Sequence, residues 1–160
     1  MFNSGFENNL LVHDVISVLG DFVSLQPDLD ETKVKAASKV AQEIDIERII
    51  GEDSMLRAIT PQTPEDEKLR KLVLNAWAYY TYGRLLLMYQ GVLTDGGFVT
   101  EVDKEATGIA KSTANHHFSI AEAYMAKVIT FLDKEKPTEL IDQTKLTPRI
   151  RTFGGNEYRS

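Results

Sequence analysis

The sequence predicts a mainly α fold: a small helical bundle with two long helices joined by a short β-hairpin, and extended N- and C-terminal arms. Three observations predict it. Apolar residues recur at helical spacing over residues 64–90 and again over 103–133. The turn-forming string Thr94-Asp95-Gly96-Gly97-Phe98 separates those stretches. Beyond them the period dissolves, so the ends need a surface to fold upon. The chain divides into an N-terminal arm or short strand/helix segment at 1–27, a helical body at 28–136 with its hairpin at 92–102, and a basic arm at 137–160.

A chain of 160 residues with 42% hydrophobic content is long and apolar enough to bury one core. No run approaches 18 apolar residues, so no membrane span is expected, and the first residues lack the basic-then-apolar order of a signal peptide. Cysteine is absent, which excludes disulfides, thiolate catalysis and cysteine-based zinc sites. The net charge of −6 argues against binding nucleic acid over the whole surface. Its distribution says more. Residues 1–133 carry 12 Lys/Arg against 20 Asp/Glu, a balance of −8, whereas residues 134–160 carry six against four, or +2. A tail of opposite sign to the body can dock on an acidic surface, of another copy or of a different partner.

The opening run Leu10-Leu11-Val12, Val15-Ile16, Val18-Leu19 and Phe22-Val23 is rich in β-branched residues and suits a strand pair or a helical turn equally. Pro27 stops it. A first helix starts near Asp28 or Asp30, with Asp28 and Glu31 in capping positions ahead of an apolar stripe of Val34, Ala37, Val40, Ala41 and Ile44. Gly51 interrupts that helix, and Met55, Leu56 and Ile59 make a second, short one.

The next helix has clear start signals: Thr63 to cap, Pro64 where a missing N–H costs nothing, and Glu65, Asp66 and Glu67 to complement the helix dipole. Its apolar positions are Leu69, Leu72, Val73, Ala76, Trp77, Tyr80, Leu86 and Leu87. Trp77, Tyr79, Tyr80 and Tyr82 wrap more than one face, which places this helix between neighbours, in the core or at an interface. Gly91 is expected to end it. Asp95-Gly96 supplies the positive φ of a tight turn between β-branched residues, hence the hairpin, although strands of three or four residues are marginal alone. The last helix carries Ala106, Ile109, Thr113, His117, Ala121, Tyr124, Val128 and Phe131 at helical spacing, and Pro137 closes it. Trp77, Tyr80, Tyr124 and Phe131 are the expected core anchors.

Catalytic signatures are missing. His116 and His117 are adjacent, so a helix points them about 100° apart, and no Glu-x-x-His or His-Glu-x-x-His spacing occurs. His117 falls on the apolar stripe and reads as a core histidine, His116 as solvent-facing. Gly91 to Gly97 lacks the Lys-Ser/Thr of a phosphate loop. Asp45, Glu47, Glu52 and Asp53 read as solvated helix faces. No cofactor, metal site or catalytic residue is expected, and the chain is read as a non-enzyme. The rivals are a helical enzyme with a metal site around His116, His117 and Glu122, and a soluble helical regulatory module. In the tail, Arg149, Ile150, Arg151, Phe153, Tyr158 and Arg159 combine guanidinium groups with aromatic and apolar residues, the types that carry interface energy.

A helix ending at Ile46-Glu47-Arg48-Ile49-Ile50-Gly51, a short helical piece at 55–59, the aromatic helix at 72–89, the glycine-containing hairpin and the helix at 106–132 together resemble the head–tail connector (neck adaptor, head-completion) proteins of tailed bacteriophages. Among these the ring proteins of crAss-like phages look most similar. The resemblance covers residues 28–133 and rests on the order of elements. It implies a virion protein at the head–tail junction, assembled in the host cytoplasm into a homo-oligomeric ring of twelve copies beneath the portal protein, with other neck or tail proteins below and genomic DNA passing through the lumen. Under it, Thr94, Asp95, Gly96, Gly97 and Phe98, with Arg149, Ile150, Arg151, Phe153, Tyr158 and Arg159, become the expected partner contacts. An acidic body suits a lumen in which DNA slides without sticking, because Lys and Arg drive phosphate binding.

One stability expectation follows from the placement of the tryptophan in the core. Trp77→Ala should cost about 3–5 kcal/mol, and a loss below about 1 kcal/mol in a denaturant titration contradicts a buried Trp77.

Overall fold

The computed structural model describes residues 9–25, 27–95 and 101–136, which form six α-helices and one π-helical stretch, with no strand among the described residues. Asp14 opens the first helix by accepting the Ser17 N–H at 3.2 Å, and α1 follows over Val15–Gly20. Of the two conformations open to this segment, the helix is the one that forms. Leu11, Val12, Val15 and Leu19 sink into the core, so residues 9–25 are part of the body. Asp30, rather than Asp28, caps α2 (Glu31–Val40), accepting the Thr32 N–H at 2.9 Å.

A π-helical stretch, Ala41–Glu47, then leads directly into α3 (Arg48–Ile50). A π turn carries one extra residue, so the buried stripe passes from Ala41 to Ile46, both 0% exposed, a step of five where an α-helix steps three or four. Ile44, expected on the stripe, is instead 50% exposed. The same shift turns Gln42 inward. Its Oε1 accepts the Leu11 N–H at 2.8 Å and its Nε2 donates to the Asn9 carbonyl at 2.7 Å. One side chain thereby satisfies two backbone groups of the N-terminal segment and pins it to the bundle.

Gly51, at φ 85° and ψ 159°, breaks the path before α4 (Glu52–Ile59), a conformation essentially reserved for glycine. After the loop, α5 runs over Pro64–Asp95 and α6 over Glu101–Glu135. At 1.5 Å per residue these helices are about 48 and 52 Å long. They pack antiparallel along their lengths, while α2, the π stretch and α4 lie against other sides of α5. Trp77 is 1% exposed and Tyr80 is buried; Tyr124 and Phe131 are partly buried at the edge of the same core. On α5, Leu85 is buried while Leu87 faces outward.

The expected β-hairpin at 92–102 is corrected. Gly91 does not end α5: residues 92–95 continue that helix, and 101–102 already belong to α6. Its turn residues 96–100 lie outside the described residues. Extending an existing helix adds one hydrogen bond per residue fixed, whereas a three-residue strand pair has no sheet to join. Gly91 costs about 1 kcal/mol inside a helix, too little to stop one that long.

At one point the two long helices come closer than a side chain allows. A methyl group on Gly83 would lie 2.7 Å from the Phe118 ring, well inside contact distance. Alanine favours a helix over glycine by about 1 kcal/mol, but overpacking typically costs ~1–3 kcal/mol. Gly83→Ala should therefore lower the denaturant midpoint, and adding Phe118→Leu should recover much of the loss. A more stable single variant would contradict the close approach.

Candidate interaction surfaces

Three arginines tie the short helices to the long ones. Arg57 on α4 donates through Nε to Asp66 at 2.7 Å and through its two terminal nitrogens to Glu135 at 2.8 and 3.1 Å, joining α4 to the start of α5 and the end of α6. Hydrogen bonding to Glu135 first, and to Asp66 next, raises the already high pKa of this guanidinium. Asp66 also accepts the Gln62 and Thr63 N–H groups, both at 3.2 Å, while Thr63 Oγ1 accepts the Asp66 N–H at 3.1 Å. This is a reciprocal cap on α5. The Arg57 hydrogen bond, helped by those backbone donors, holds the Asp66 carboxyl below its ordinary value against the opposing effect of burial.

Arg70 closes the C-terminus of α4 by donating to the Ala58 and Ile59 carbonyls at 2.8 and 3.0 Å, and reaches Leu11 O at 3.2 Å. Arg84 grips Asp45 of the π stretch with two hydrogen bonds of 2.5 and 2.6 Å, which raise the arginine's pKa. Asp45, expected on a solvated face, is thus a tie between the π stretch and α5. Burial pushes the nearby Tyr80 phenol up, and the charges of Glu122 and Asp45 add to the effect.

Along the α5–α6 seam the rings form a ladder. Tyr79 stacks on Tyr124 with centroids 5.8 Å apart and planes within 6°. His117 lies 6.1 Å from Tyr79 and meets Tyr82 edge-on at 4.7 Å. Lys127 Nζ sits 4.8 Å from the Tyr124 centroid, and His116 meets His117 edge-on at 5.8 Å. Tyr79, Tyr82, His117 and Tyr124 are only partly buried, so the ladder keeps some surface open. Elsewhere, Leu87 and Ile129 on the long helices are 36% and 41% exposed.

The expected partner contacts fall unevenly on this framework. Thr94 and Asp95 form the last turn of α5. Gly96, Gly97 and Phe98, and the tail residues Arg149, Ile150, Arg151, Phe153, Tyr158 and Arg159, lie outside the described residues. For the metal-enzyme rival, His117 Nδ1 is 2.8 Å from the Thr113 carbonyl and its ring belongs to the ladder, partly buried where a core position was expected; His116 is exposed. Among the described residues no three His, Cys, Asp or Glu side chains gather closely enough to hold a metal ion. Sequence reasoning missed Arg57, Arg70, Arg84 and Gln42. Only Asp66 left a signal, three residues after the capping Thr63.

A family of unknown function, DUF6712, matches residues 39–148, more than half of the chain. The chain belongs to this family. The DUF6712 span takes in the π stretch, α4 and both long helices, and ends just before Arg149; the N-terminal segment that Gln42 pins lies outside it. No curated protein and no solved structure matches the chain.

The Asp66 cap carries a pH dependence of definite sign. A carboxyl depressed in the folded state stabilises above its unfolded value, about 3.9, and loses that contribution as pH falls through its folded value below it. Asp66→Asn should thus be less stable than the parent at neutral pH, with the gap closing below about pH 4. A gap that stays constant down to acid pH in denaturant titrations would contradict the ionised cap.

Proposed function

We propose that the chain is a non-enzymatic structural protein of a tailed-bacteriophage particle, packing side by side into a ring at the portal–tail junction through which DNA passes. The partly exposed aromatic ladder on the α5–α6 seam carries this reading. Tyrosine and histidine rings that touch one another and are only partly buried offer rigid area at small entropic cost, as recurs at protein interfaces. Two helices of about 50 Å give a subunit a long flank on which a neighbour can lie. The arginine clamps support the same view, because they hold the short elements to the long helices. Ring closure multiplies modest contacts by symmetry, so no single protomer contact has to be strong. The order of helices, which without the hairpin still resembles that of head–tail connectors, suggests the biological setting, with the portal protein and other neck or tail proteins as neighbours. Among the described residues no helix is long and apolar enough to cross a membrane.

Native mass spectrometry of the purified full chain over a rising concentration series tests this reading. A closed assembly, twelve copies being expected, should appear at high concentration. Tyr124→Ala should weaken it by at least about tenfold, the equivalent of 1.4 kcal/mol, and Ile129→Glu, at an exposed position, provides a second probe. A chain that remains monomeric throughout the series, or that assembles equally well with both variants, contradicts the proposal.

A further inference from the structure

A groove of about 530 Å³ runs between the π stretch, α4 and the N-terminal segment. Leu10, Met55, Leu56 and Ile59 line it with apolar surface, and Glu43, Glu47 and Glu52 stand along it. Lys39 offsets only Glu43, at 3.8 Å; Glu47 and Glu52 have no ion-pair partner among the described residues. Leu56 is 41% exposed. The groove is therefore apolar in its lining and acidic at its edge, and an occupant that suits it combines cations with large apolar side chains.

Beyond α6 the chain contains one stretch of that chemistry. Residues 145–153 read Lys145-Leu146-Thr147-Pro148-Arg149-Ile150-Arg151-Thr152-Phe153: three cations, three large apolar residues and no acid. Position favours it as much as composition. Glu135, the last residue of α6, is held at 2.8 and 3.1 Å by Arg57, and Arg57 follows Leu56 on α4, between the lining residues Met55 and Ile59. The chain leaves the bundle beside the helix that builds the groove. The fourteen residues from Glu135 to Arg149 can span about 45 Å when extended, whereas α4 is only about 12 Å long. A tether this short gives an effective concentration in the millimolar range, so weak contacts are enough to close it.

We infer that the groove is covered by the protomer's own basic segment, residues 145–153. The groove offers Glu47 and Glu52 to cations, and Leu10, Leu56 and Ile59 to apolar side chains. The contact needs no second copy and does not rest on the ring reading. In a ring, the same contact made on the next protomer requires only an exchange of the segment. Because Coulomb attraction between partly exposed groups contributes, the closure weakens with salt.

Photo-crosslinking identifies the occupant directly. Benzoylphenylalanine replaces Leu56 in the full chain, with Glu52 as an alternative exposed position, and the protein is irradiated at a concentration where it is monomeric. Linked peptides should come from residues 145–153 in a product of monomer mass, and Glu47→Lys with Glu52 or Leu56 carrying the probe should cut the yield at least about fivefold, as should ~0.5 M salt. Links to residues 1–8, a product of two-chain mass, or no link from either probe position would each overturn the inference. A failure to form rings in the mass-spectrometric series leaves this readout unaffected.

Discussion

The fold is arranged around one helix, α5, that is covered on most of its sides. The buried residues of α5 include Leu69, Val73, Ala76, Trp77, Ala78, Tyr80, Thr81 and Leu85, and they point around most of its circumference. A helix apolar all round is stable only when surrounded. α6 supplies one wall, with Ala114, Ala121, Met125 and Val128 buried along it, and α2, the π stretch and α4 supply others. Gly83 sets how near α6 can come, because Phe118 occupies the space a side chain would need. The small helices, each too short to persist in water alone, exist because they close the rest of that surface.

This constraint explains where the charged ties fall. Arg57, Arg70 and Arg84 each join a short element to α5 or to the segment lying over it, and each satisfies several acceptors at once. Isolated exposed ion pairs contribute little. Planar forks with two or three partners instead fix angle and register, which small helices packed on a cylinder otherwise lack. The π stretch serves the same end. Its extra residue turns Gln42 and Ile46 inward and sets Asp45 against Arg84, so one local irregularity anchors both the N-terminal segment and the central helix.

Much of this was legible in the residues, and the exceptions share a cause. Thr63, Pro64 and three acids marked the start of α5; the buried Trp77, the break at Gly51 and the run of α6 to the neighbourhood of Pro137 followed from spacing and punctuation. The hairpin was misread because Asp95-Gly96 turn chemistry is local, while the helices on either side extend by a cooperative process that short strands cannot match. Ile44 was misplaced because α periodicity has no term for an inserted residue. The arginine ties escaped notice because their partners stand 9 to 78 residues away in sequence. The aromatic ladder was half visible: the tyrosines were seen to wrap several faces of α5, but their stacking on Tyr124 and His117 depends on the register between helices. Of the expected contact residues, Thr94 and Asp95 stand at the end of α5, and the tail positions, with the glycines and Phe98 beyond Asp95, lie outside the described residues.

If the proposed ring forms, the ladder of Tyr79, Tyr82, His117 and Tyr124 is a flank of the long helices that meets another subunit. Hydroxyl-radical footprinting of the native assembly against the dilute chain measures this directly. Protection of Tyr79, Tyr82 and Tyr124 on assembly, with Trp77 unreactive in both states, is the predicted result. Equal reactivity of the three tyrosines in the free and assembled states would contradict it.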